Sequence, residues 1–321
     1  MIAAPSTVGL ISNPASGHNR DQFQQIEARI ARCANVHHLI TQSEADIEPA
    51  LKEMAAMGIT VLAINGGDGT AASLLGKLLD GGLFDPLPTI ILLPGGTANM
   101  TAGDVGVRGS LAKATERFCA WCEGPRNRGE NIEQRALMKV MLEHDGGTHY
   151  GMFLGGGAVI QATEYAHAEV HARGLRDDFS LALTTLRAVW GLVRNDPKFS
   201  RYVTIQMSLD GNQAVTRDTL ILAISTLQRL AFGMRPFFGE EEGRVRLTLF
   251  ERGCSRFFRT FVSIIRGRPN RNAIPTSGYF SHNADTIALQ MNGKLNLDGE
   301  ILLAQGRVDI SAIGPLEFLR L

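Results

Sequence analysis

Along roughly the first 125 residues, short apolar runs alternate with stretches of helical spacing. Thr7 to Asn13 is an apolar run closed by Asn-Pro. Asp21 to Cys33 repeats apolar positions at Phe23, Ile26, Ile30 and Cys33, the three-to-four spacing of a helix. Val36 to Thr41 predicts a strand, and Glu44 to Met57 a helix closed by Gly58. Thr60 to Asn65 predicts a strand, followed by Gly-Gly-Asp-Gly-Thr and a helix through Leu79. Thr89 to Leu93 predicts another, followed by Pro-Gly-Gly-Thr, and Ala112 to Glu123 predicts a helix. Apolar strands alternating with helices imply a parallel sheet covered on both faces.

The texture changes after Arg126. Gly124 to Glu133 is polar and turn-rich, the composition of a linker. Beyond it the spacing predicts short β-branched strands at Leu137 to Leu142, Tyr202 to Met207, Thr219 to Ser225, Val245 to Phe250, Thr286 to Met291 and Arg307 to Ile310. Turn signals at Asp210-Gly211-Asn212 and Asn292-Gly293 separate them, and helical stretches interrupt near Leu175 to Val193 and Ser255 to Ile265. The expectation is an α/β domain over residues 1–128 and a β-sandwich domain over residues 129–321, the extreme C-terminus free to return to the first domain.

Composition narrows the class. The 321 residues allow about two domains. With 44% hydrophobic and 20% charged residues, the chain is neither disordered nor collagen-like nor a disulfide knot. Lys+Arg and Asp+Glu are both 32, which argues against a whole-protein grip on nucleic acid. Cys33, Cys119, Cys122 and Cys254 are too scattered for a disulfide framework. The Cys119-x-x-Cys122 pair reads as two core thiols on a helix, because no second pair completes a zinc site. Neither a signal-peptide pattern nor an apolar run of membrane-spanning length is present, so the expected location is the cytoplasm, soluble or peripheral at the inner membrane surface.

Glycine is the outlier, with 35 residues against an average of about 7%. Three glycine loops each follow a predicted strand: Asn13-Pro14-Ala15-Ser16-Gly17, Gly66-Gly67-Asp68-Gly69-Thr70 and Pro94-Gly95-Gly96-Thr97-Ala98-Asn99. In a parallel sheet all three emerge at the strands' carboxyl ends, where such sheets bind ligands. Glycine lets the backbone approach a phosphate, amides at a following helix start point at it, and Ser16, Thr70 and Thr97 add hydroxyls. One loop alone reads as a tight turn; three on one edge favour a phosphate-rich ligand. Gly67-x-Gly69-x-x-Ala72 fits the loose dinucleotide pattern but follows the third strand, and no Walker A sequence occurs. Asp68 would repel a phosphate unless it holds Mg²⁺ or a protonated group; its plainer reading is an N-cap for the helix beginning near Thr70.

Taken together, these loops resemble the diacylglycerol kinase catalytic family, which includes sphingosine and ceramide kinases and bacterial lipid kinases and shares its nucleotide domain with NAD kinases. Gly66 to Thr70 is similar to the family's hallmark loop, Asn13 to Gly17 to its first phosphate loop and Pro94 to Asn99 to its third. Leu297-Asp298-Gly299-Glu300 resembles its catalytic turn, although Asp-Gly is also a favoured two-residue hairpin. The resemblance implies a nucleotide-binding α/β domain, a β-rich acceptor domain and ATP in the cleft between them. It implies nucleotide contacts from Asn13, Ser16, Gly17, Thr41, Gly66, Gly67, Asp68, Gly69, Thr70, Ala71, Ala72, Gly96, Thr97 and Asn99. Glu300, with Asp298 beside it, would take the proton of an acceptor hydroxyl; Asp68 would position Mg²⁺-ATP or serve as a second base. The chain departs from the family where Asn99-Met100-Thr101-Ala102 replaces Asn-Asp-Phe-Ala, so one carboxylate is missing. Glu242, in Pro236 to Gly243, stands where the family often has a metal-binding Asp; a solvated acidic turn is the alternative.

The function expected is an ATP- and Mg²⁺-dependent phosphotransferase acting on the hydroxyl of a diacylglycerol-like or sphingoid lipid, at a membrane surface and without nucleic acid; a homodimer stays open. The alternatives are a soluble NAD-type kinase and a non-catalytic nucleotide or lipid sensor. His167 and His171, one helical turn apart, read as ordinary histidines because no third ligand is evident. Arg252 to Arg271 interleaves six arginines with Phe257, Phe258, Phe261 and Ile264, which fits either an anionic membrane surface or a packed helix with a solvated basic face.

Overall fold

The structure is a computed structural model that describes residues 8–33, 35–124, 131–164 and 202–321. The chain divides into two compact units. The first is Met1–Arg135 with Gly314–Leu321, and the second is Ala136–Ile313. The division falls inside a strand, later than residue 128, and the last eight residues return to the first unit.

In the first unit, strands β1 (Val8–Ser12), β2 (Val36–Ile40), β3 (Val61–Gly66) and β4 (Thr89–Pro94) pair in parallel in the order β2-β1-β3-β4. Helices α1 (Asn19–Ile30), α2 (Ile47–Ala56), α3 (Asp68–Asp80), α4 (Met100–Val105) and α5 (Leu111–Glu123) connect and cover them. Every residue of β1 and β3 is buried, as both faces are covered; β2, at the edge, is only half-buried. Val8, Leu10, Val61, Ala63, Ile91 and Leu93 pack with Ile26 and Ile30 of α1 and Phe118, Cys119 and Cys122 of α5. The alternate residues Leu62, Ile64, Ile90 and Leu92 are buried too, which is why these strands read as continuous apolar runs. The expected core thiols are found there, and burial beside Cys33 pushes the Cys119 thiol up to about 12, so it is inert. The C-terminus joins this sheet through Phe318, paired in parallel with Ile90.

The second unit is built from antiparallel strands: the remainder of β5 (Ile132–Leu142), β6 (Thr148–Gly151), β7 (Phe153–Gly157), β8 (Val203–Leu209), β9 (Val215–Ser225), β10 (Val245–Glu251), β11 (Tyr279–Ala284), β12 (Thr286–Leu297) and most of β13 (Glu300–Leu319). β8 and β7 lie end to end in one slot between β9 and β12: β8 pairs their N-terminal halves and β7 their C-terminal halves. The main hydrogen-bonded path of this unit runs β11-β10-β9-β7-β12-β13, and off it β5 pairs with both β13 and β6. One core contains Met138, Leu154, Ile205, Leu222, Leu247, Leu289 and Val308.

Asn292-Gly293 does not turn. It lies within β12, opposite Gln305 and Ala304 of β13. The alternation that buries Ile287, Leu289, Met291 and Leu295 continues through it, so pairing along the whole strand outweighs a local turn preference. The strand expected at Arg307 to Ile310 is the middle of the 20-residue β13. Helix α6 (Phe257–Ile265) sits where a helix was expected. The stretch Leu175 to Val193, His167, His171 and most of the expected linker lie outside the described residues. Among the described residues, no helix is long and apolar enough to cross a membrane.

Arg135 and Asp104 form a buried pair in the first unit, Nε to Oδ2 at 2.9 Å, and Arg135 also donates to the Gln134 carbonyl at 2.7 Å. Arg135→Ala strands a buried carboxylate, so it should lower unfolding free energy by about 3–5 kcal/mol, measurable by urea denaturation.

Candidate functional site

The chain leaves β1 for β2 on one side and returns to β3 on the other, so the loops after β1 and β3 diverge at a topological switch point. There the first two glycine loops meet. Asn13 Nδ2 donates to Thr70 Oγ1 at 3.0 Å, the Ser16 and Thr70 hydroxyls lie 3.4 Å apart, and Gly67 N–H donates to Ser16 Oγ at 3.2 Å. The third loop closes against both. A Cβ on Gly17 would stand 2.3 Å from Thr97 Oγ1, and one on Gly96 would stand 2.4 Å from Gly67 Cα. These glycines are required for contact between loops, which the ligand argument alone did not reveal.

Two buried residues absent from the sequence reading floor this arrangement. Asn19 donates its side-chain amide to the carbonyls of Asn13 (2.8 Å) and Asn65 (3.2 Å), and its backbone N–H bonds Gly95 O. Asn65 donates to Ser12 Oγ at 3.3 Å, and Ser12 Oγ meets His38 Nε2 at 2.9 Å. A buried Asn at the end of an apolar strand was the only signal. Thr41 lies buried at the end of β2 with its hydroxyl on Ser12 O. Ala71 and Ala72 are buried, and the Ala71 N–H is spent on Gly67 O.

Asp68 does not cap its own helix. Helix α3 begins at Asp68 with Gly67 as N-cap. The Asp68 carboxylate instead accepts Met100 N–H at 3.0 Å and Thr101 N–H at 2.8 Å, the first amides of α4. Burial pushes this carboxyl above its usual value, opposed by those two amides. Asn99 begins α4 in the left-handed region (φ 47°) and clasps Gly96, its Oδ1 accepting the Gly96 N–H and its Nδ2 donating to the Gly96 carbonyl.

The donors therefore divide. The α4 N-terminus is satisfied internally by Asp68. In α3, Ala71 N–H is the first amide to bond back, to Gly67 O, leaving the Gly69 and Thr70 amides without an intrahelical acceptor. Gly69 is exposed and a Cβ there would meet open space. The start of α3, with the Ser16 and Thr97 hydroxyls, fits an anionic ligand such as a polyphosphate. For Mg²⁺ the residues fit poorly: both Asp68 oxygens are held by amides, and no three His, Cys, Asp or Glu residues converge among the described residues. Glu242 is exposed, and its neighbour Glu241 is the one engaged, with His282 Nδ1 at 2.6 Å.

In the second unit, Asp298 (φ 49°) and Gly299 (φ 99°) form a tight two-residue turn between β12 and β13. Asp298 accepts Met152 N–H at 2.8 Å and Phe153 N–H at 3.0 Å, so this carboxylate acts as a backbone clasp. Glu300, next along, pairs with Leu297 in the ladder, while its exposed side chain makes no hydrogen bond or ion pair to a described residue. Asn296, also missed, braces the turn by accepting Gly299 N–H and donating to Thr163.

Residues 7–124 match the family described as the diacylglycerol kinase catalytic domain, so the resemblance seen in the loops is borne out over that segment. No match to a curated protein is found. Among solved structures, the chain is similar to a diacylglycerol kinase from Bacillus anthracis str. Sterne (16% identity, TM-score 0.59, 95% of this chain and 94% of that one). A proposed diacylglycerol kinase from the same strain gives 18% identity and a TM-score of 0.61 over the same shares. Yeast NADH kinase complexed with NADH gives 10% identity and a TM-score of 0.51, over 99% of this chain and 84% of that one. At these identities the likeness shows the fold: an α/β domain followed by a strand-rich domain.

Two outcomes test the loop geometry. Gly96→Ala should lose about 1–3 kcal/mol from overpacking against the Gly67 backbone, read by thermal melting. Separately, burial holds the His38 imidazole below its ordinary value. As pH falls through about 6.5 the unfolded chain binds the proton first, so native stability drops; above that pH His38 contributes nothing. His38→Gln should shrink the melting-temperature difference between pH of about 7.5 and about 5.5.

Proposed function

We propose that the chain is an ATP-dependent kinase that transfers the γ-phosphoryl group to a hydroxyl of a lipid, diacylglycerol-like or sphingoid. One observation carries this reading: three glycine loops converge at the switch point of a domain matching the diacylglycerol kinase catalytic family, with the α3 amides of Gly69 and Thr70 unspent. Phosphoryl transfer demands positioning and charge stabilisation, with a carboxylate for the acceptor proton. The loops' glycines, amides and hydroxyls suit the first task. Asp68 orders the loops through α4, which makes it a positioning residue in this reading, not a base. Asp298 likewise orders its turn, and Glu300 is left as the carboxylate to take the acceptor proton. Mg²⁺ would arrive with the nucleotide, and no protein-built metal site is invoked.

The yeast NADH kinase likeness supports one alternative, a soluble nucleotide acceptor. Methionine at position 100, where the family has a carboxylate, favours a nucleotide sensor.

The deciding experiment incubates the full chain with labelled ATP, Mg²⁺ and mixed micelles of total lipid extract, read by thin-layer chromatography. A labelled lipid is expected. Labelled NAD instead would assign the soluble acceptor, and ATP binding with no labelled product from either would assign a sensor. Glu300→Gln should lower kcat at least 100-fold with ATP affinity within about two-fold; retention of full rate would remove Glu300 from the mechanism. Gly69→Val, whose side chain enters open space, should keep its melting temperature yet lose at least about ten-fold in ATP affinity by calorimetry, equivalent to 1.4 kcal/mol.

A further inference from the structure

Helix α6 is apolar on two faces. Its inner face, Phe257, Thr260, Phe261 and Ile264, packs on Phe250 and Tyr279; the Phe250 ring meets those of Phe257 and Phe261 edge-on at 6.3 and 6.0 Å. That contact fixes the helix, yet Phe258, Val262 and Ile265 form a second stripe at helical spacing, and Phe258 keeps 53% of its surface exposed. The neighbouring loop adds Phe232, 57% exposed and held at φ 56°, a backbone conformation unfavourable for a bulky side chain. This loop is tied to the helix by Arg235 N–H on Ile265 O at 2.8 Å.

Cations surround these apolar tips. Arg235, Arg256, Arg259, Arg266, Arg268 and Arg271 are all exposed, and none is ion-paired to a described residue. The sequence from Arg252 to Ala284 contains no Asp or Glu. Arg256 and Arg259 stand at the start of α6, where the helix dipole favours an anion, and its first turn has no acidic residue. The fold thus holds positive charges together against their mutual repulsion, with exposed aromatic and aliphatic side chains among them.

We propose that this face of the second unit docks on an anionic phospholipid bilayer, Phe232, Phe258, Val262 and Ile265 entering the interface and the arginines meeting lipid phosphates. Aliphatic side chains gain by leaving water for acyl chains and have nothing to stack on a nucleic-acid base, while arginines can lay their stems along the surface with the guanidinium in the headgroup layer. Docking is a property of the unliganded chain and is independent of the phosphoryl acceptor.

The test is flotation of the full chain with vesicles of phosphatidylcholine alone, or with about 30% phosphatidylglycerol, at about 0.1 M salt. Binding is expected only to the anionic vesicles. Arg259→Gln and Arg266→Gln should each weaken it about five-fold, the equivalent of about 1 kcal/mol per basic residue near the surface. Phe258→Ser with Phe232→Ser should weaken it further while the melting temperature stays unchanged, since both side chains are exposed. Arg32→Gln, in the first unit, should leave binding as it was. No binding to anionic vesicles, equal binding to neutral ones, or patch variants that bind like the parent would overturn the proposal. So would tighter, Phe258-dependent capture by a single-stranded oligonucleotide. No kinase assay enters this readout, so its failure would leave the kinase reading standing.

Discussion

The first unit's site depends on one carboxylate satisfying the start of a helix that is not its own. Asp68 sits in the second glycine loop and accepts the opening amides of α4, which follows the third. A buried carboxylate is tolerable only where amides replace the water it has lost, and two backbone donors do so. The constraint is reciprocal: Asp68 keeps the second loop from moving independently of the third. Asn99 tightens the same junction by folding back on Gly96.

With those donors spent, the remaining ones become meaningful. Of the two helices that follow the second and third loops, α4 has its opening amides taken by Asp68, whereas α3 keeps the Gly69 and Thr70 amides at its start. The glycines act mainly on the protein itself. Gly17 against Thr97 and Gly67 against Gly96 allow three loops to touch without intervening side chains. Gly69 is the exception, since it faces open space. A loop cluster locked by Asn19 and Asn65 beneath it is preorganised, which is the property catalysis by positioning requires.

A parallel logic operates in the second unit. Asp298 bonds the amides of Met152 and Phe153 and so anchors the β12–β13 turn to β7. Two of the three candidate catalytic carboxylates, Asp68 and Asp298, are thus clasps on backbone, whereas the exposed Glu300 side chain is not. An Asp at a turn meets unpaired amides within reach of its short side chain.

The sequence by itself determined the alternation of apolar strands and helices in the first unit, because strands covered on both faces must be apolar throughout. It also determined the three glycine loops and the Asp298-Gly299 turn, because positive φ and close approach leave few residue choices. Only the tertiary structure decided that Asn292-Gly293 stays extended, since hydrogen bonds to β13 along the whole strand outweigh a two-residue preference. It alone decided that Asp68 serves α4, and that Asn19 and Asn65 underlie the loops. Asp68 lies 32 residues from Met100 and Asn19 lies 46 from Asn65, and no local pattern encodes which distant backbone group a buried polar side chain will meet.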